Sequence, residues 1–237
     1  MNTLKIINIF KSIDGEAYHA GRPTIFIRTF GCNLRCAYPC DTPESWDMGV
    51  FNKLYNRPLY EMTPEDAAEK IRTLGQDINH VTVTGGEPLL PENVPWMEKF
   101  VYDLVTSGYT VDFETNGAVP LADIAKWRSD WNLGNRVRFI MDWKCPSSKM
   151  TSKMIPENLA VMESWDVVKC VVADGDFDEV ETVRARLRPE TPIYISPSFG
   201  KVTMCKIPEF VMERPKENYC CQLQQHKYFW PVDQRDV

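Results

Sequence analysis

The chemistry of this chain gathers first in one short loop, where Cys32-x3-Cys36-x3-Cys40 places three thiols within nine residues. Thiolates at that spacing suit a soft metal centre and can wrap a single cluster. An all-cysteine [4Fe-4S] site takes four ligands; no fourth is apparent, so one iron would stay open to a small molecule. The same spacing admits a structural zinc completed by His19 or His80, or three buried thiols that hold nothing. Recurrence at such short intervals, in a loop that also contains Gly31 and Asn33, speaks against the last reading. The other cysteines, Cys145, Cys170, Cys205, Cys220 and Cys221, lack the two-residue pairing of a zinc site.

Such a loop needs a frame. Residues 24–29, 81–84, 110–114, 137–143, 167–172 and 193–196 are β-rich or alternating and read as strands. Between them run helical patterns. Thr63-Pro64-Glu65-Asp66 is an N-cap with proline at the first helical position, continued by Ala67, Ile71 and Leu74. Similar stripes cover 94–107, 121–131 and 176–187, while 39–64 carries enough Pro, Asn, Asp and Tyr to read as irregular. Strand-helix alternation of this kind predicts an α/β fold with a parallel sheet under helices and ligands at the carboxyl ends of the strands. The polar motifs fall at those ends: Cys32 after the first strand, Gly85-Gly86-Glu87-Pro88 after the second, Glu114-Thr115-Asn116-Gly117 after the third.

Composition narrows the class further. The 237 residues read as one domain spanning 1–237, with an ordinary 43% apolar and 25% charged content that excludes a disordered chain. A net charge of -6, from 27 basic and 33 acidic side chains, argues against nucleic acid as a partner. No apolar run is long enough for a membrane span and the start lacks a secretory signal, so a cytoplasmic protein is expected. In a reducing compartment clustered cysteines point to metal before disulfides.

In its cysteine loop and Gly-rich turn the chain resembles the radical S-adenosylmethionine superfamily, whose signature is C-x3-C-x2-C after the first strand of a partial barrel. Here the second gap holds Ala37, Tyr38 and Pro39. Tyr38 takes the aromatic position that lies against adenine in the family, and Pro39 is the inserted residue. Gly85, Gly86, Glu87 and Pro88 match the family's GGEP motif, which meets the methionine moiety. The resemblance implies an incomplete TIM-type barrel of about six parallel strands with outer helices, a [4Fe-4S] cluster on Cys32, Cys36 and Cys40, and S-adenosylmethionine as cofactor.

More of the chain is similar to the 7-carboxy-7-deazaguanine synthase family. The matching segments are Ile9 to Glu16, Gly21-Arg22-Pro23, Phe26-Ile27-Arg28, Cys40-Asp41-Thr42, Glu114 to Gly117, Pro146 to Met150 and His226 to Trp230. That resemblance implies a lyase that turns 6-carboxy-5,6,7,8-tetrahydropterin into 7-carboxy-7-deazaguanine plus ammonia, on the route to 7-deazapurines such as queuosine. It implies Mg2+ on Thr42, and substrate contacts from Ile13, Asp14, Gly15, Arg28, Thr84, His226 and the terminal Val237. S-adenosylmethionine contacts would come from Tyr38, Gly85, Gly86, Glu87, Glu114, Asn116, Asp142, Trp143, Lys144 and Ser196. A homodimer and a flavodoxin or ferredoxin-type electron donor also follow from the resemblance. Two rival readings stay open: an activating enzyme that places a glycyl radical on a large partner, and a non-catalytic binding protein with a metal site.

Overall fold

The computed structural model describes residues 3–231 and 234–236. In chain order its elements are β1 (Leu4–Ile13), β2 (Pro23–Thr29), α1 (Met48–Tyr55), β3 (Tyr60–Met62), α2 (Pro64–Leu74), β4 (His80–Gly85), α3 (Val94–Thr106) and β5 (Thr110–Thr115). There follow α4 (Ala122–Asp130), β6 (Val137–Trp143), β7 (Val167–Val172), α5 (Phe177–Arg184), β8 (Ile193–Pro197), α6 (Lys206–Met212), β9 (Tyr219–Cys221) and α7 (His226–Phe229). The strands form one open sheet in the order β3-β1-β2-β4-β5-β6-β7-β8-β9. From β2 onward neighbours are parallel; β1 pairs antiparallel with both β2 and β3. The six expected strands are β2 and β4 to β8, and β9 adds a seventh parallel one. No helix among the described residues is long and apolar enough to cross a membrane.

Each strand has two different faces. On one side Ile25, Ile27, Val81, Val83, Val111, Phe113, Val137, Phe139, Val168, Cys170 and Ile195 join a single apolar core. Helices α2 to α6 seal it, with Ala67 and Ile71, Phe100 and Leu104, Ile124 and Trp127, Val180 and Val183, and Ile207 and Phe210. Each large side chain so buried contributes roughly 1.5–3 kcal/mol. Most of the intervening residues are polar: Thr24 and Arg28 on β2, His80, Thr82 and Thr84 on β4, Asp112 and Glu114 on β5, Arg138 and Asp142 on β6, Lys169 on β7, Ser196 on β8, with Phe26, Ile140, Val167 and Val171 among the apolar exceptions. Strands in a parallel sheet covered on both faces usually run apolar throughout. Here the second face is an inner wall lined for chemistry.

Two local devices fix the frame. Thr63 Oγ1 accepts from the Asp66 amide at 3.1 Å and caps α2 as its sequence predicts. The segment expected to be irregular instead holds α1 and β3, because Asp47 Oδ1 accepts from the Gly49 and Val50 amides and Asn56 ends the helix in the left-handed region. Trp96 then donates its indole N–H to the Met62 carbonyl at 2.9 Å, tying β3 to α3.

Candidate active site at the carboxyl ends of the strands

Five polar residues occupy the penultimate position of five parallel strands: Arg28, Thr84, Glu114, Asp142 and Ser196. Because side chains alternate and the register is parallel, that shared position places all five on the inner wall at one end. Thr84 Oγ1 donates to Glu114 Oε2 at 2.6 Å, and burial pushes the Glu114 carboxyl up to about 7, with Lys169 pulling it down. Arg28 lies over the Phe10 ring at 5.6 Å, and Phe10 stacks on Phe26. Arg28 Nε, Asp142 Oδ1 and Ser196 Oγ are buried without a partner among the described residues. Buried polar atoms are nearly always satisfied, so three orphans at one end mark a place where a ligand completes the bonding.

The three-cysteine loop crowns the same end. Gly85 has φ +121° and Gly86 packs so tightly that a Cβ would overlap the Gly31 carbonyl. The Gly86 amide donates to Thr29 O at 3.2 Å and the Glu87 amide to Gly31 O at 2.7 Å, locking the turn beneath the cysteines. Glu87 faces the protein: its oxygens accept from the Leu89 and Asn116 amides and Thr115 Oγ1, and burial raises its carboxyl to about 7. It pins the end of β5 to the turn. Asn116 donates to Asn33 Oδ1 at 2.8 Å and lies 3.8 Å from Cys32 Sγ, joining that end to the cysteine loop.

Cys32 and Cys36 are half-buried, Cys40 is exposed, and all three are free. Burial raises the Cys32 and Cys36 thiols, so a bound metal must displace their protons. Among the described residues only His19, His80 and Asp112 bring three His, Cys, Asp or Glu donor atoms within 4.8 Å of one another. His80 opens β4, at the opposite end of the sheet from the loop that follows β2, so it completes no site with the cysteines. His19 lies beside it, their rings stacked at 3.8 Å. The donor set fits a cluster with three protein ligands.

Tyr38 is half-buried, its phenol raised by burial, with Lys144 Nζ 5.8 Å from its ring centroid. Lys144 pairs with Asp142 Oδ2 at 2.9 Å; burial works against its charge, and Asp142 more than compensates, keeping it cationic. Trp143 points to the helical side, its indole donating to Glu179 Oε1 at 2.8 Å, so its ring does not join this group. Thr42 Oγ1 lies 3.3 Å from Gly85 O and 3.9 Å from Cys40 Sγ, beside the turn.

The expected substrate loop approaches from the other end, because β1 runs antiparallel to β2. Asp14 is buried and engaged: Oδ2 accepts from Thr82 Oγ1 at 3.1 Å and Oδ1 from the Glu16 amide at 3.1 Å. Ile13 closes β1, and Gly15 is pressed against His226, which would stand 3.0 Å from a Cβ there. Burial lowers the His226 imidazole toward its neutral form. Val237 lies outside the described residues. Residues that sequence reading passed over complete the wall. Lys169 Nζ pairs with Glu16 Oε2 and Gln224 Nε2 donates to Glu16 Oε1 at 2.8 Å, so the loop is held from β7 and from the segment before α7. A lysine inside the apolar run Val-Val-Lys-Cys-Val-Val was the available signal. Deeper still, Arg138 bonds Asp112 Oδ1 and His19 Nδ1, at 2.6 and 2.7 Å, and supplies the positive charge in that His-His-Asp group.

Comparison with known proteins identifies the family and the fold. The profile of the Radical SAM superfamily matches residues 26–131, from β2 to just beyond α4. The 7-carboxy-7-deazaguanine synthase of Clostridium acetobutylicum is 33% identical over 236 residues, covering 98% of this chain and 99% of its own. That of Methanospirillum hungatei is 35% identical, covering 95% and 85%. Among solved structures, QueE from Escherichia coli superposes with a TM-score of 0.70 at 21% identity over 94% of both chains, a likeness of fold.

Proposed function

The chain belongs to the 7-carboxy-7-deazaguanine synthase family of radical S-adenosylmethionine enzymes, and from that membership we infer that it converts 6-carboxy-5,6,7,8-tetrahydropterin to 7-carboxy-7-deazaguanine with loss of ammonia. The observation that carries the reading is the three-thiol loop set over a ring of penultimate polar residues with unpartnered buried atoms. When bound, a [4Fe-4S] cluster and S-adenosylmethionine supply the radical that takes hydrogen from the substrate. The protein's own work is to bind, orient and exclude water.

In this reading Cys32, Cys36 and Cys40 hold the cluster. The half-buried backbone of Gly85 and Gly86 meets the methionine moiety, with Tyr38 against the adenine and Asn116, Asp142, Lys144 and Ser196 available to its polar groups. Glu87 and Trp143 act from behind, the first by pinning the turn and the second by packing on the helical layer. Arg28 clamps the pterin carboxylate, since a guanidinium offers two parallel donors and its Nε is otherwise unmet. Thr84 faces the substrate, and Glu114, which accepts from its hydroxyl, is a further polar group available to S-adenosylmethionine. Ile13, Gly15 and His226 frame the pterin edge, and Asp14 shapes that frame through Thr82 and the Glu16 amide. Thr42 offers a hydroxyl beside the Gly85 carbonyl for Mg2+, a hard cation that prefers oxygen. The same proposal makes residues 1–237 one catalytic domain, working as a cytoplasmic homodimer supplied by a flavodoxin or ferredoxin-type donor.

Anoxic incubation of the reduced protein with S-adenosylmethionine, Mg2+ and the carboxypterin should yield a deazapurine by mass spectrometry; its absence would sink the assignment. Thr42→Ala should lose product formation more than cleavage of S-adenosylmethionine, and equal loss in both assays would remove the metal role.

A further inference from the structure

Residues 31–40 and 144–155 contain Arg35, Lys144, Lys149 and Lys153 and no aspartate or glutamate, in a chain with 33 acidic residues. The two segments are neighbours: the Ala37 amide donates to the Ser148 carbonyl at 2.9 Å. Lys144 turns inward to Asp142, whereas Arg35, Lys149 and Lys153 are exposed. None of these three forms an ion pair among the described residues. Arg35 is also held in place, donating to the Cys32 and Leu34 carbonyls at 3.0 and 2.6 Å and lying over Trp46 at 4.4 Å. A cation fixed in this way loses little freedom when a partner arrives. Asn33, Ala37, Pro39 and Cys40 are exposed on the same loop.

We propose that this outer face of the cysteine loop, with Arg35, Lys149 and Lys153, is the docking surface for an acidic one-electron carrier protein. The inference rests on the reading that the loop holds a redox cluster. Its inner side faces the wall that receives the small molecules, so the outer side is where an electron must enter. One electron leaves the reduced carrier and the cluster gains it; no bond or proton moves. Opposite charge on the two surfaces steers encounter and fixes orientation, while the net -6 of the whole chain repels an acidic protein from other faces.

The test pairs the cluster-loaded protein with flavodoxin as the acidic probe. Lys149→Asp with Lys153→Glu reverses two charges, and aspartate tolerates the left-handed backbone at Lys149, φ +59°. Calorimetric titration with oxidised flavodoxin at low salt should show the Kd raised about tenfold, the difference closing as salt rises. Stopped-flow reduction of the cluster by reduced flavodoxin should slow by a similar factor. An unchanged Kd, or a loss indifferent to salt, overturns the docking face. Dithionite needs no docking, so product formation with dithionite should match in variant and parent. Failure of the parent to make product with dithionite would count against the assigned reaction instead, and the titration would still judge the surface.

Discussion

At the amino end of the inner wall, Asp112, Arg138, His19, His80, Thr82 and Asp14 bond to one another, whereas at the carboxyl end Arg28, Asp142 and Ser196 each keep a buried atom without a partner among the described residues. Both regions are polar and enclosed, and both draw on alternate residues of the same strands. Ser12 Oγ, beside Thr24, and Gln225 Oε1, beside the Gly15 loop, are exceptions at the amino end. The contrast separates polar groups that build a fold from polar groups that await a ligand. An internally closed network costs nothing further in the free protein; an open one is stable only because the rest of the core carries it.

The comparison is broken most severely through the cysteine loop. Cys36→Ala should abolish reductive cleavage of S-adenosylmethionine, measured as 5'-deoxyadenosine by chromatography, with the protein still soluble and helical. Next is the amino end: Arg138→Met leaves Asp112 buried beside two histidines without its cation and should cost about 3–5 kcal/mol in urea unfolding. Turnover per folded molecule should persist; loss of turnover in fully folded protein would erase the distinction between the two ends. Arg28→Lys sharpens it from the other side. Charge stays but the paired donors go, so kcat/KM should fall about ten- to a hundredfold while unfolding moves by less than about 1 kcal/mol. The smallest effect concerns His226. Its folded pKa is depressed by burial, so the neutral form's contribution is complete above the ordinary 6.5 and lost as pH falls through the folded value. His226→Gln should flatten that acid-side decline in a melting series from pH 7.5 to 5, by less than about 1 kcal/mol for so partly exposed a group.

Much of the frame was legible because its signals are local. The six expected strands match β2 and β4 to β8 with each end within one residue, since their apolar faces repeat strictly. β1 escaped that reading: Ile6 and Ile7 are both buried, and a register shift between Ile6 and Asn8 spoils the alternation. Helix α1 was hidden by its turn-forming flanks, where Asp47 and Asn56 act as caps at its two ends. Of the candidate site, the cysteine loop could be read from spacing, and family resemblance extended this to Gly85-Gly86, Arg28 and Glu114. The inward commitment of Glu87 and the outward turn of Trp143 could not, because which strand face a residue takes at a strand end depends on the neighbouring turn. The Lys169–Glu16 pair joins positions 153 apart in sequence, a relation no local pattern encodes.

The clasp between Gln224, Gln225 and the loop at Gly15 and Glu16 has a consequence for the intact polypeptide. Asp236 extends it, reaching Asn8 at 2.7 Å and Tyr55 at 3.1 Å. Covalent continuity through 198–222 is what keeps those late residues at high local concentration near the early ones, at a closure cost that grows only logarithmically with the intervening length. A single protease cut in the exposed stretch around Phe199 and Gly200 would turn that clasp into a bimolecular association, loosening the contact of His226 with Gly15 while leaving β2 to β7 paired.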